Sequence, residues 1–265
     1  MINALIAIDL DGTLLDAKGT YSPRTRDYLR TLTKRGYAIV LASGRPFRAM
    51  ERIYEDLHCE APLIAYNGSY VFQPNDASFR PFEVSFPKES VRRIFDRSRP
   101  YAFSFMAESK TRIYIDQDDP FLDRYFPYAG MDVIRGPLSE RVDEDVFTML
   151  FSAPLEQSDR LKADCEAEEN ISWRPWSNST YSELFIPTAH KGTALDYIAQ
   201  QLHVAKEDIY AIGDAENDIP MLDAAGHPFA MKNNRVPHLM ARFPQTKNSV
   251  DEDGVLETLV SLFGD

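Results

Sequence analysis

Ala4-Leu5-Ile6-Ala7-Ile8-Asp9-Leu10-Asp11-Gly12-Thr13 sets the architecture of this chain. Five consecutive apolar residues with no alternation describe a strand buried on both faces, the pattern of a parallel sheet. Two aspartates come directly after. In open α/β sheets ligands bind at the carboxyl ends of the strands, so both carboxylates fall where a site belongs. A paired aspartate by itself is weak evidence, because a solvated turn explains it as well. Its position at a strand end, with Gly12-Thr13 next, favours a site.

Beyond this run, Ser22-Pro23 supplies an N-cap and a proline at the first helical position. Thr25, Leu29 and Leu32 recur at helical spacing, and Gly36 ends the helix. Tyr37-Ala38-Ile39-Val40-Leu41-Ala42 is a second buried-type strand, followed by a helix from about Pro46 to Leu57 and a strand at residues 63–66. Alternating strands and helices imply parallel pairing through right-handed crossovers. The middle of the chain changes character. Aromatic residues thicken between Glu83 and Pro187, and stretches 111–115 and 147–151 alternate like a half-exposed sheet. After Lys191 the α/β rhythm returns, with a helix through Ala194, Leu195, Ile198 and Leu202, a strand at residues 209–212 and a helix near residues 219–225. The expected fold is α/β: a Rossmann-like parallel sheet with helices on both faces, formed by residues 1–82 and 188–265, interrupted by an α+β insertion at 83–187.

The chain has 265 residues, roughly 1.8 domains at about 150 residues each, and a formal charge of −12. Residues 1–82 carry 10 basic and 9 acidic groups, residues 83–187 carry 13 and 20, and residues 188–265 carry 6 and 12. No segment has a basic stripe, which argues against a nucleic-acid partner. The longest clean apolar run, residues 37–42, is far below the ~20 needed to span a bilayer, and no secretory leader is evident. No membrane partner and a cytoplasmic location are therefore expected. Cys59 and Cys165 are too few for a disulfide framework. The five histidines show no ligand spacing and are assigned surface or core roles, and the Asn-x-Ser/Thr sequons at Asn67, Asn170 and Asn178 are taken as chance matches.

Three further clusters carry chemistry. Ser43-Gly44-Arg45 follows the second strand and precedes a helix, where a hydroxyl and free N–H groups suit a phosphate oxygen, although a plain helix cap explains it equally well. Lys191 opens the helix after the insertion, an odd place for a cation because the helix dipole mildly disfavours it. Lys191-Gly192-Thr193 lacks the upstream glycine and leading strand of a P-loop. Gly213-Asp214-Ala215-Glu216-Asn217-Asp218 follows the strand at 209–212, and its crowded acids repel one another unless a cation sits among them. Magnesium suits such hard oxygens.

In order and context, Asp9-x-Asp11-Gly12-Thr13, Ser43-Gly44-Arg45, Lys191-Gly192 and Gly213-Asp214-x-x-Asn217-Asp218 resemble the four motifs of the haloacid-dehalogenase-like phosphatases. Asn67-Gly68, Met221-Leu222 and Asp253-Gly254-Val255 resemble the Cof-like branch, whose type IIB cap lies between the second and third motifs. At residues 230–234, Lys232 and Asn234 depart from the small residues usual there. The resemblance implies a Mg²⁺-dependent phosphomonoesterase acting on a small phosphorylated metabolite, most plausibly a sugar phosphate, and a monomer or weak homodimer. It implies Asp9 as nucleophile, Asp11 as acid and base, and metal held by Asp9, Asp11 (through its backbone carbonyl) and Asp214. Ser43, Gly44, Lys191 and Asn217 are the implied phosphate-binding residues, with Asp218 beside the metal. The insertion is expected to cover the site and select the leaving group, its net −7 favouring sugars over polyanions, with Arg112, Tyr114, Arg174 and Trp176 as candidate contacts. Two alternatives stand beside this: a phosphomutase, gripping a second phosphate with Arg92, Arg93, Arg97 and Arg99, and a non-catalytic phosphate-binding regulator.

Overall fold

The computed structural model describes residues 2–176, 179–234 and 236–264; the sequon at Asn178 lies outside them. The chain divides into two compact units, residues 1–82 with 190–265, and residues 83–189.

Strand β1 (Ala4–Asp9) is buried at all six positions, as expected of a strand covered on both faces. Helix α1 (Pro23–Lys34) begins where Ser22 Oγ accepts the Thr25 N–H at 3.1 Å, and it buries Leu29 and Leu32. Strand β2 (Tyr37–Ala42) pairs in parallel with β1, Ile8 opposite Leu41 and Asp9 opposite Ala42. A continuous helix from Pro46 does not form. A 3₁₀ turn at Phe47–Ala49 precedes the short helix α2 (Glu51–Asp56). Pro46 itself stays extended, at ψ 158°, and caps the 3₁₀ turn rather than opening a helix, so the regular helix starts late. Strands β3 (Leu63–Ala65), β4 (Tyr70–Phe72) and β5 (Phe82–Glu83) complete this part of the chain.

In the inserted unit, helices α3 (Lys88–Ser98), α4 (Pro120–Tyr125), α5 (Leu138–Arg141) and α6 (Ser158–Glu166) accompany β6 (Ser104–Glu108), β7 (Arg112–Ile115), β8 (Asp132–Arg135), β9 (Thr148–Ser152), β10 (Ser172–Pro175) and β11 (Tyr181–Phe185). The strands form one six-stranded sheet in the order β10-β11-β9-β6-β7-β8, antiparallel except at β7–β8. Alternate residues Phe105, Ala107, Met149, Phe151 and Leu184 pack with Val91, Ile94 and Phe95 of α3 and with Leu161 and Cys165 of α6. The half-exposed sheet expected from stretches 111–115 and 147–151 is not what forms: β6 and β9 are buried at every position and β7 at three of four, so residues on both faces of these strands are covered.

The chain then returns with α7 (Lys191–Leu202), β12 (Ile209–Gly213), α8 (Ile219–Ala224), β13 (His227–Ala230), α9 (Pro237–Arg242) and α10 (Gly254–Phe263). The first sheet has seven strands in the order β13-β12-β1-β2-β3-β4-β5. Its β13–β12–β1–β2–β3 portion is parallel throughout, and β3–β4 is antiparallel. β1 is therefore central. The carboxyl ends of β1, β2 and β12 lie side by side, delivering Asp9, Ser43 and Asp214 to one edge. Leu5, Val40, Ile64, Leu195, Ile198, Ala211 and Leu222 form the core beneath, each large aliphatic side chain contributing about 2 kcal/mol by its burial. Among the described residues no helix is long and apolar enough to cross a membrane.

Candidate active site

Asp9 is the last residue of β1 and only 6% exposed. Lys191, the first residue of α7, is completely buried, and its Nζ donates to Asp9 Oδ1 at 2.5 Å and to Asp218 Oδ1 at 2.6 Å. Desolvation is the largest influence on Asp9, pushing its carboxyl well above the usual range. The neighbouring Asp218 and Asp214 add to that push, and Lys191 opposes it. Asp214, directly after β12, is raised to about 6, first by desolvation and then by Asp218. Burial pulls the Lys191 ammonium down, but the attraction of Asp218 and Asp9 outweighs it and holds the ammonium above its ordinary value.

The helix bearing Lys191 starts in an unusual way. His190 is its N-cap, the ring Nδ1 accepting the Thr193 N–H at 3.1 Å while Thr193 Oγ1 accepts the His190 N–H at 3.1 Å. This is a capping box with histidine in the place serine or threonine commonly takes. Burial holds the imidazole below its ordinary pKa, which keeps Nδ1 free to accept. The sequence pattern assigned His190 no such part.

Asp9, Asp214 and Asp218 present ligand atoms that all lie within 4.8 Å of one another. They do not contribute alike. Asp218 spends one oxygen on Lys191 and the other on the N–H groups of Asp214 and Ala215, both at 3.0 Å. It therefore shapes the loop and anchors the lysine. Asp9 and Asp214 are the carboxylates left with an oxygen to offer. Thr13 Oγ1 steadies Asp214 by donating to its Oδ1 at 3.2 Å. Gly12, at φ +87°, leaves room for the other oxygen, since a Cβ there would collide with Asp214 Oδ2. Three carboxylates around one ammonium retain excess negative charge in a desolvated setting, and their hard oxygens fit a small divalent cation.

Asp11 is placed apart from this cluster. Its side chain is about half exposed and gripped by Arg45, with Arg45 Nε donating to Asp11 Oδ2 at 2.8 Å and Nη2 donating to Oδ1. Nothing in the sequence pointed to that pair. Ser43 is buried, its Oγ accepting the Arg45 N–H at 3.2 Å. Because helix α2 starts only at Glu51, the N–H groups around Ser43-Gly44 belong to a loop and not to a helix terminus. Asn217 Nδ2 donates to Asn67 Oδ1 at 2.9 Å. Asn233, despite its atypical neighbours, donates to the Gly12 carbonyl at 2.8 Å and accepts the Val250 N–H at 2.9 Å.

In the inserted unit, the arginines considered for a second phosphate are already engaged. Arg93 and Arg97 converge on Glu168, Arg92 donates to the Val142 carbonyl at 2.7 Å, and Arg99 pairs with Asp116 at 3.1 Å. Tyr114 is fully buried, its hydroxyl donating to Asp143, which also receives Arg112 at 2.8 Å. Arg174 pairs with Glu183. Trp176 lies in an aromatic group with Phe121, Tyr125 and Tyr181.

Residues 6–259 match the haloacid dehalogenase-like hydrolase family. A 5-amino-6-(5-phospho-D-ribitylamino)uracil phosphatase of Bacillus subtilis is 31% identical, over 98% of this chain and 97% of its own. A second B. subtilis phosphatase of the same name is 25% identical over 94% of each chain. A haloacid dehalogenase-like hydrolase from Bacteroides thetaiotaomicron shares the fold at a TM-score of 0.83, with 24% identity over 98% of this chain and 99% of that one.

Proposed function

The chain belongs to the haloacid dehalogenase-like hydrolases, and from its carboxylate–lysine centre we propose a Mg²⁺-dependent phosphomonoester hydrolase that works through a phosphorylated Asp9. That it is an enzyme, and a phosphatase, follows from the family and from relatives named as phosphatases. The observation that carries the mechanism is the buried Lys191 bridging Asp9 and Asp218 beside Asp214.

Lys191 fixes the orientation of Asp9 through Oδ1, and a carboxylate oxygen of Asp9 attacks phosphorus. A new O–P bond forms there as the bond from phosphorus to the leaving oxygen breaks. Asp11, released from Arg45 and protonated, gives its proton to that leaving alkoxide, a role worth about 10²–10⁴-fold. A water then attacks the aspartyl phosphate, Asp11 takes the water's proton, and inorganic phosphate departs with Asp9 restored. Ser43, the Gly44 N–H, Lys191 and Asn217 hold the transferring group, because phosphoryl transfer depends mainly on position and charge neutralisation. Asp9, Asp214 and the Asp11 carbonyl would hold a divalent cation, which would supply charge neutralisation for the attack of a carboxylate on a phosphate.

The relatives act on a phosphorylated ribityl chain, which supports a small phosphorylated metabolite of sugar or sugar-alcohol type as substrate. The phosphomutase alternative loses its support because the arginines it needs are paired internally. Turnover of p-nitrophenyl phosphate with magnesium, abolished by EDTA and by Asp9→Asn, is the expected result. Full activity in Asp9→Asn would sink the assignment.

A further inference from the structure

Residues Tyr66, Asn67 and Gly68 follow β3 with φ of 48°, 56° and 110°. Three successive left-handed residues, two of them not glycine, are rarely adopted by L-amino acids and persist only where the surroundings hold them. Here the surroundings are the candidate site. The Tyr66 N–H donates to the Arg45 carbonyl at 3.2 Å and the Asn67 N–H to the Ser43 carbonyl at 2.9 Å, tying the turn to the loop after β2. Gly68 lets the start of α7 approach, since a Cβ there would collide with the His190 carbonyl and lie 2.9 Å from Lys191 N. The Asn67 side chain completes the connection. Its Oδ1 accepts from Asn217, and its Nδ2 sits 2.9 Å from where a Gly44 Cβ would be.

One strained turn thus touches the loops bearing Ser43-Gly44, Lys191 and Asn217. We propose that Asn67 is a positioning residue of the phosphate cradle, its left-handed backbone aiming the carboxamide so that it orders Asn217 and packs against Gly44. This rests on the phosphatase reading. The left-handed conformation explains the residue type, because asparagine tolerates that region better than other side chains able to make the same contacts.

The test measures inhibition of p-nitrophenyl phosphate turnover by inorganic phosphate, with magnesium present. Asn67→Gly keeps the backbone conformation and deletes the side chain. It is expected to raise the phosphate Ki about tenfold, the scale of one hydrogen bond near a charged group, while melting within about 2 °C of wild type. Asn67→Asp keeps an oxygen for Asn217 but places negative charge beside the phosphate, and is expected to raise Ki further. Asn67→Gly combined with Asn217→Ala is expected to bind phosphate no worse than Asn217→Ala alone, since both remove one unit. A Ki within twofold of wild type in Asn67→Gly, or fully additive effects in the double variant, overturns the inference. Should Asn67→Gly fail to fold, a wild-type Ki in Asn67→Asp overturns it equally. A wild type that neither turns over substrate nor binds phosphate removes the phosphatase reading and this inference with it, an outcome distinct from loss of the inference alone.

Discussion

The ammonium of Lys191 stands 2.5 Å from Oδ1 of Asp9, 182 positions away in the chain, with almost no solvent access to either. The contact holds the nucleophile in one orientation and offsets part of the repulsion that its acidic neighbours impose. It is also a buried ion pair, and such pairs are more costly to break than they are valuable to form.

Lys191→Met is therefore expected to abolish measurable turnover and to lower the melting temperature by about 6–12 °C, because two buried carboxylates lose their counter-charge. Adding Asp9→Asn to Lys191→Met should restore part of that loss while activity stays absent. Thermal melts of the three proteins in EDTA check this. A double variant no more stable than Lys191→Met would show that charge is not the cause.

Asp11→Asn removes the proposed acid while leaving the metal cluster in place. Alkyl phosphates, with poor leaving groups, are expected to lose about 10²–10⁴-fold in turnover, whereas p-nitrophenyl phosphate loses much less in the first step. Release of phosphate from Asp9 should become limiting, so that an acid quench traps labelled protein. Equal losses for both substrate classes in the first, phosphorylating step, read from pre-steady-state bursts, would argue against an acid at this position.

Gly12→Ala is expected to act on the metal. The new Cβ would collide with Asp214 Oδ2, on a backbone at φ +87° that alanine disfavours. Displacing that carboxylate should raise the magnesium concentration for half-maximal activity about 10–100-fold, with a stability loss of about 1 kcal/mol or more from the strained backbone. Magnesium titration of turnover separates the two effects.

The inserted unit has its own pH signature. Hydrogen bonds from Arg93, and then from Arg97, outweigh burial and hold the Glu168 carboxyl at about 2. A depressed folded pKa means that the stabilisation is complete above the unfolded value, near 4.5, and is lost as pH falls toward about 2. Because Arg93 is more than half exposed, solvent screening limits the contribution to about 1–2 kcal/mol. Glu168→Gln should destabilise the protein by that amount at pH 7 and by progressively less below pH 4.5. Denaturant titrations at pH 7, 4 and 3 would show the difference shrinking, and a constant difference would contradict it.

The carboxylates at the ends of β1 and β12 were legible because an unbroken apolar run announces a doubly covered strand, and the residues next in the chain must lie at the sheet edge. From its local pattern Lys191 was legible only as an oddity, a cation opening a helix, and its phosphate-binding part came from the family resemblance alone. Its complete burial between two aspartates depends on strand order, which a local pattern does not carry. Arg45 on Asp11, His190 as N-cap and Asn67 on Asn217 were not legible at all. Each joins residues far apart in the chain or uses a residue type outside its common role. The same residue type gave one correct helix start and one false one: Pro23 opens α1, whereas Pro46 stays extended ahead of a 3₁₀ turn.

The place of β12 in the sheet bears on biosynthesis. β1 is made first, and β2 soon covers one of its edges, but the strand that covers the other edge begins at Ile209, beyond the whole inserted unit. At typical translation rates of about 5–20 residues per second, an apolar strand keeps an open row of backbone donors and acceptors for on the order of ten seconds. During that interval the emerging chain is a substrate for chaperones and for pairing with its own copies. However fast residues 83–189 condense, that edge closes only once residues 209–213 have left the ribosome.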